Sequence, residues 1–171
     1  MTRTFTAHLR TPIGWLEVRG DSGAILAVNF VERPGSGRRP GTEADALPTV
    51  VAACLGQLEE YFKGGRTSFD LPLRLEGTPF QRRVWEVLLR VPYGRTTTYR
   101  DLAAAVGNVR SARAVGGANH RNPVSIIVPC HRVVGSNGGL TGYGGGLWRK
   151  EWLLGHERRH AGDRSSTGLR P

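Results

Sequence analysis

Residues 97–123 read TTYRDLAAAVGNVRSARAVGGANHRNP, and this stretch decides the fold. Thr98-Tyr99-Arg100-Asp101 offers a capping box, in which a hydroxyl satisfies an exposed N–H of a first helical turn. The helix it opens runs through Val106, and Gly107 closes it. After the link Asn108-Val109-Arg110, residues 111–120 form a second helix that stops before Asn122-Pro123, because proline pushes its predecessor out of the helical region. Helix, glycine-containing turn and helix is the layout of a helix-turn-helix. Many helical hairpins share that layout and bind nothing.

The 111–120 helix, SARAVGGANH, is unusually thin. Each glycine in a helix costs about 1 kcal/mol against alanine, so something must offset Gly116 and Gly117. Two explanations fit. The helix packs closely on another helix, or it enters a minor groove about 6 Å wide that an ordinary helix of about 10–12 Å could not enter.

Upstream, Thr78-Pro79-Phe80-Gln81 is another capping box with proline in the first turn, followed by an apolar face of Phe80, Val84, Val87, Leu88 and Val91. Val91-Pro92-Tyr93-Gly94 ends that helix. Residues 4–31 alternate apolar and polar side chains around Asp21-Ser22-Gly23 and read as a strand hairpin or meander. Residues 32–46 are rich in Gly, Pro and charge and read as a mobile loop. Val50, Cys54, Leu58 and Phe62 then fall at helical spacing in a helix starting near Pro48, with Cys54 as a core residue.

The 171 residues allow one compact domain or two small lobes, and 39% hydrophobic with 22% charged residues is an ordinary globular composition. Charge is distributed unevenly. Residues 1–79 hold nine Lys/Arg and nine Asp/Glu, whereas residues 80–160 hold thirteen and four, a net +9. A basic second half points to a polyanion-binding face, and its cations are almost all arginine, which forks onto phosphate. No apolar run reaches the roughly 18 residues of a membrane span, and the first residues lack a signal-peptide core, so the expectation is a cytoplasmic protein without a membrane partner. The two cysteines, Cys54 and Cys130, form neither a disulfide framework nor a four-ligand zinc site.

Thiol chemistry therefore falls to Cys130. The β-branched run Val124-Ser125-Ile126-Ile127-Val128 delivers Pro129-Cys130-His131-Arg132 to its far end, where Cys130 should be largely buried. A buried thiol is inert unless a base and donors are supplied. His131 is the obvious base, but neighbours in an extended chain point to opposite faces, so a backbone bend or a bridging water is required. Leu147–Glu157 reads as a helix that sets Glu157 beside apolar residues near its C-terminus. Either a buried cationic or hydrogen-bonding partner holds Glu157 there, or it lies exposed on a fraying end.

Taken together, Arg113-Ala114-Val115-Gly116-Gly117-Ala118, Asn122-Pro123, Ile127-Val128-Pro129-Cys130-His131-Arg132-Val133, Leu140-Thr141-Gly142-Tyr143 and Glu151-Trp152-Leu153-Leu154 resemble the O6-alkylguanine-DNA alkyltransferases. The likeness is close over 78–157 and looser over 8–73. It implies an α+β fold: a small N-terminal α/β domain with an antiparallel, ribonuclease-H-like sheet over 1–75, a mostly helical domain with a winged helix-turn-helix over 76–158, and a polar, disordered tail over 159–171. It also implies irreversible transfer of an alkyl group from a flipped-out guanine to Cys130, in a single turnover.

In that reading His131 is the base acting through a water, Glu157 orients it, and Asn122 sits at the hinge before the active-site strand. Tyr99 helps rotate the nucleotide and donates a proton toward guanine N3, and Arg113 fills the vacated stack. The implied DNA contacts are Thr98, Tyr99, Arg110, Ser111, Ala112, Arg113 and Gly116. The implied pocket is Cys130, Val133, Tyr143 and Gly144, with the Cys130 and Val133 carbonyls reading the exocyclic amine. The partner is double-stranded DNA through its minor groove, and also single-stranded DNA, bound mainly by a monomer, with cooperative assembly on DNA left open.

There are departures. Gly144-Gly145-Gly146 stands where some relatives carry a polar side chain after the pocket tyrosine, which leaves substrate breadth and O4-alkylthymine activity open. The N-terminal zinc ligands of certain relatives are absent, and no GxGxxG pattern indicates a cofactor, so neither metal nor cofactor is expected. Two rivals remain: a DNA-binding module without chemistry, against which an activated thiol would count, and a cysteine hydrolase, for which no oxyanion hole is evident.

Overall fold

The computed structural model describes residues 2–34 and 46–165 and divides into two units, Met1–Glu76 with Pro123–Ile127 and Gly77–Asn122 with Val128–Pro171. Most of the loop expected over 32–46 lies outside the described residues, as do residues 166–171.

In the first unit, β1 (Phe5–Thr11), β2 (Gly14–Gly20) and β3 (Ile25–Val31) form an antiparallel meander. Alternation sends Leu16 and Val18 inward. Asp21 makes the second turn by accepting from the N–H groups of Gly23 and Ala24, and Arg74 holds its carboxylate at 2.5 Å. α1 (Thr49–Phe62) begins after Pro48 and buries Val51, Cys54, Leu58 and Tyr61. The buried stripe is thus one residue off the expected Val50 and Phe62 at its ends, because the neighbouring positions face the sheet.

Residues 123–127 join this unit through Val28, whose N–H donates to Pro123 and whose carbonyl accepts from Ser125, at 2.9 Å each. The run is not the extended strand its composition suggests. Only Val124 bridges β3, and the Ile127 N–H turns back to the Ser125 carbonyl at 2.9 Å across Ile126, whose φ is +73°. A left-handed β-branched residue is a strained conformation, and Ile126 is fully buried in it.

The second unit contains α2 (Pro79–Leu88), β4 (Thr97–Thr98), α3 (Tyr99–Val106), α4 (Ala112–His120), β5 (Val133–Val134) and α5 (Leu147–Ser165). Thr78 and Gln81 make both bonds of the capping box on α2. Thr98 caps α3 by accepting from Asp101 N–H at 3.1 Å, and Gly107 ends it with a left-handed φ of +109°. A 3-10 turn, Val109–Ser111, leads into α4, its first N–H groups served by the Asn108 carbonyl and side chain. Trp85 of α2 ties the helices together, donating to the Ala118 carbonyl at 2.9 Å from a fully enclosed indole. β4 and β5 pair in parallel, Thr97 with Val133 and Thr98 with Val134. α5 runs to Ser165, past residue 158, where the sequence suggested that a disordered tail begins.

Candidate active site

Cys130 owes its position to two consecutive bends. Its N–H donates to the Val128 carbonyl at 2.8 Å across Pro129, and the chain then enters a 3-10 turn, Cys130–Arg132, closed by Arg132 N–H on the Pro129 carbonyl at 3.0 Å. The backbone is therefore bent where an extended chain would have sent Cys130 and His131 to opposite faces. Asn122 Nδ2 donates to the Val128 carbonyl at 2.8 Å and ties together the two points at which the chain leaves and re-enters this unit. Cys130 is only 5% exposed. Burial raises the pKa of its thiol, while the Asn122 amide, the Lys150 charge and the N–H groups of Cys130 and His131 favour the thiolate.

Behind Cys130 stands a buried charged cluster. His131 Nε2 lies 2.7 Å from Glu157 Oε1, and neither side chain is exposed. Arg132 grips the same carboxylate with both arms, Nε to Oε2 and Nη2 to Oε1 at 2.9 Å each, and donates Nη1 to the Val91 carbonyl at 2.7 Å. Gly94 N–H adds a bond to Glu157 Oε2 at 3.3 Å. Burial alone would raise the Glu157 pKa, but His131 and Arg132 hold it well below the usual carboxylate range. Burial lowers the His131 pKa against the pull of Glu157, with Arg132 and Lys150 acting in the same direction as burial. The result is a neutral imidazole whose Nε2–H donates to a carboxylate and whose buried Nδ1 has no hydrogen-bond partner among the described residues. Nδ1 is thus an available proton acceptor.

Tyr99 belongs to a neighbouring node. Its hydroxyl donates to the Thr141 carbonyl at 2.9 Å, and burial raises its pKa, which keeps the proton on. The same carbonyl accepts from Lys150 Nζ at 2.9 Å. Tyr143, further along that loop, is likewise held neutral by burial. Val133 is enclosed in β5, and Gly144 lies beside His120, leaving ordinary van der Waals space for a side chain. The Cys130 carbonyl already accepts from the Val133 N–H and, at 3.3 Å, from Asn119 Nδ2.

The remaining expected residues lie on β4 (Thr98), the 3-10 turn (Arg110, Ser111) and α4 (Ala112, Arg113, Gly116). Arg110 and Arg113 are exposed, Ser111 and Ala112 half-buried, and Thr98 is engaged as the α3 cap. A Cβ on Gly116 would meet only the Tyr99 ring, at 3.8 Å, and one on Gly117 only the mobile end of Arg121, at 3.2 Å. Close helix packing therefore does not account for these glycines.

Two family models match the chain: the ribonuclease-like domain of 6-O-methylguanine DNA methyltransferase over residues 4–75 and its DNA binding domain over residues 79–159. The chain belongs to the 6-O-methylguanine DNA methyltransferase family. It is 46% identical to a methylated-DNA–protein-cysteine methyltransferase of Mycolicibacterium paratuberculosis, over 88% of this chain and 90% of that protein. It is 56% identical to one of Methanosarcina barkeri, over 85% and 92%. Among solved structures it resembles Mycobacterium tuberculosis O6-methylguanine methyltransferase in complex with DNA, with a TM-score of 0.80, 41% identity, and coverage of 91% of this chain and 93% of that one.

Within this family member, Cys130, His131, Glu157 and Asn122 come together, Tyr99 is linked through Thr141 and Lys150, and Arg113 stands apart on α4. Sequence reasoning left Arg132, Lys150, Asn119 and Gly94 without roles. For Lys150 a signal was available: with Leu153, Leu154 and Glu157 it falls at i, i+3, i+4 and i+7, the buried stripe of α5. Gly94 has a φ of +74°, and a Cβ there would meet Ala161 Cβ at 2.6 Å, so this turn lies against α5 beside Glu157 only as glycine.

Proposed function

We propose that this chain repairs alkylated DNA by moving the alkyl group from guanine O6 to Cys130 Sγ, once per molecule. The observation that carries the reading is the His131 imidazole, fixed by Glu157 through Nε2 and offering an unpartnered buried Nδ1 within the same turn as Cys130. The thiol proton passes through a water to Nδ1. The resulting thiolate attacks the alkyl carbon in line, the S–C bond forms as the C–O6 bond breaks, and the electron pair goes to the guanine. Tyr99 donates its proton toward N3 and neutralises that charge, while Glu157 stabilises the imidazolium. The thioether has no group beside it that could reverse the step.

The target oxygen lies inside the duplex, so the base is extruded, a cost of a few kcal/mol that a poorly paired lesion reduces. α4 enters the minor groove, where its glycines leave room and Arg113 takes the vacated stack. Thr98, Tyr99, Arg110, Ser111, Ala112 and Gly116 line the approach, and Val133, Tyr143 and Gly144 border the pocket with Cys130. Residues 76–158 thus bind DNA and react, and residues 1–75 support them. The protein acts on duplex and single-stranded DNA as a monomer. Two free thiols suit the reducing cytoplasm. Among the described residues no helix is long and apolar enough to cross a membrane.

The test pairs binding with repair. Cys130→Ser should bind duplex DNA with undiminished affinity, weakening steeply as salt rises, yet leave every O6-methylguanine intact. Repair by this variant would sink the proposal.

A further inference from the structure

Lys150 is fully enclosed, an uncommon state for a lysine, and it sits among the groups the reaction needs. Its Nζ donates to the Thr141 carbonyl at 2.9 Å and reaches the Gly142 carbonyl at 3.4 Å, and it lies 5.9 Å from the centre of the Tyr99 ring. The Tyr99 hydroxyl occupies the same Thr141 carbonyl. A hydroxyl has one proton to give. To donate it to a guanine, Tyr99 must let go of Thr141, and the carbonyl it leaves then keeps the Lys150 ammonium as its donor.

We propose that Lys150 is a positioning residue that keeps the Thr141 carbonyl satisfied when the Tyr99 hydroxyl turns to the flipped base. This rests on the alkyl-transfer reading above. The ammonium has three protons, so it serves both loop carbonyls at once and fixes the loop that carries Tyr143. Without it, Tyr99 stays bound to Thr141 and its contribution to the transfer step is lost.

The test is a double-mutant cycle on single-turnover transfer in the full chain, with DNA affinity measured beside it. In the wild-type background Tyr99→Phe should slow transfer by about 100-fold. In Lys150→Met, itself slowed by a similar factor, adding Tyr99→Phe should cost less than about twofold more, while DNA affinity changes little. Fully additive losses would overturn the role of Lys150 while leaving the transfer reading intact, whereas absence of transfer in the wild type would overturn that reading itself.

A second arm does not depend on the variant folding. The chain has only two lysines, Lys63 and Lys150, so a 15N-lysine spectrum is assigned by inspection. In Cys130→Ser bound to DNA containing O6-methylguanine, the Lys150 ammonium signal should stay protected from solvent exchange. Exchange as fast as that of exposed Lys63 would overturn the proposal.

Discussion

His131 Nε2 and Glu157 Oε1 are 2.7 Å apart with both side chains fully buried, and Arg132 binds the same carboxylate through two nitrogens. Because the guanidinium already neutralises Glu157, the imidazole, which donates its Nε2–H to that carboxylate, need not carry a second proton. The ring is therefore oriented by an ion without being charged by it, which leaves Nδ1 free to act as a base.

That arrangement sets the response to acid. Burial keeps folded His131 below its ordinary pKa of 6.5, so as pH falls through 6.5 the unfolded chain takes up a proton that the folded one refuses. Stability from this group is present above pH 6.5 and declines below it, by up to about 1.4 kcal/mol per pH unit. Glu157 is depressed from 4.5, so its contribution is present above pH 4.5 and is lost only as pH falls further. Urea unfolding of wild type and His131→Gln at pH 7.5, 6.5 and 5.5 should show a steeper acid loss for wild type. Parallel curves would mean that His131 titrates normally in the fold.

The glycines of α4 give a second test. Because a Cβ on Gly116 meets only ring carbons at 3.8 Å, Gly116→Ala should stabilise the free protein by up to about 1 kcal/mol. The same methyl should weaken DNA binding if α4 enters a groove. A stabilised variant with unchanged DNA affinity would remove the groove explanation for the thin helix.

How far the sequence was legible follows from how local each signal is. Thr78 with Gln81 and Thr98 before Asp101 were readable because a cap depends on residues three apart. Glu157 was only half readable, because a carboxylate beside apolar residues fits either a buried partner or an exposed fraying end, and the holder Arg132 is supplied by a distant turn. The bend at Ile126 was hidden, since Val124–Val128 has strand composition and its positive φ is imposed by surroundings the sequence does not display. Lys150 was hidden for the converse reason, because lysine is read as solvated unless its helical stripe is traced. The length of α5 was missed because Arg159 and His160 look like the start of a polar tail, while His160 in fact donates from Nδ1 to the His156 carbonyl at 2.8 Å within the helix.

Arg113 distinguishes intercalation from simple charge. It is exposed on α4 between Ala112 and Ala114, with nothing bulky beside it in sequence. Arg113→Lys keeps the charge and loses the planar fork. Single-turnover repair should fall by about tenfold or more on duplex DNA and much less on single strands, where no stack has to be opened. Equal losses on both substrates, or none on duplex, would reduce Arg113 to a phosphate contact.

The most direct measurement is intact-protein mass spectrometry after incubation with excess DNA carrying O6-methylguanine, followed by peptide mapping. Cys54 is fully buried with its thiol pushed up to about 12, so it should remain unmodified, and Cys54→Ser should repair normally. The expected result is one methyl group per protein, on Cys130, with one lesion removed for each molecule. Lesions removed well in excess of protein, or a methyl group found anywhere other than Cys130, would contradict transfer to this thiol.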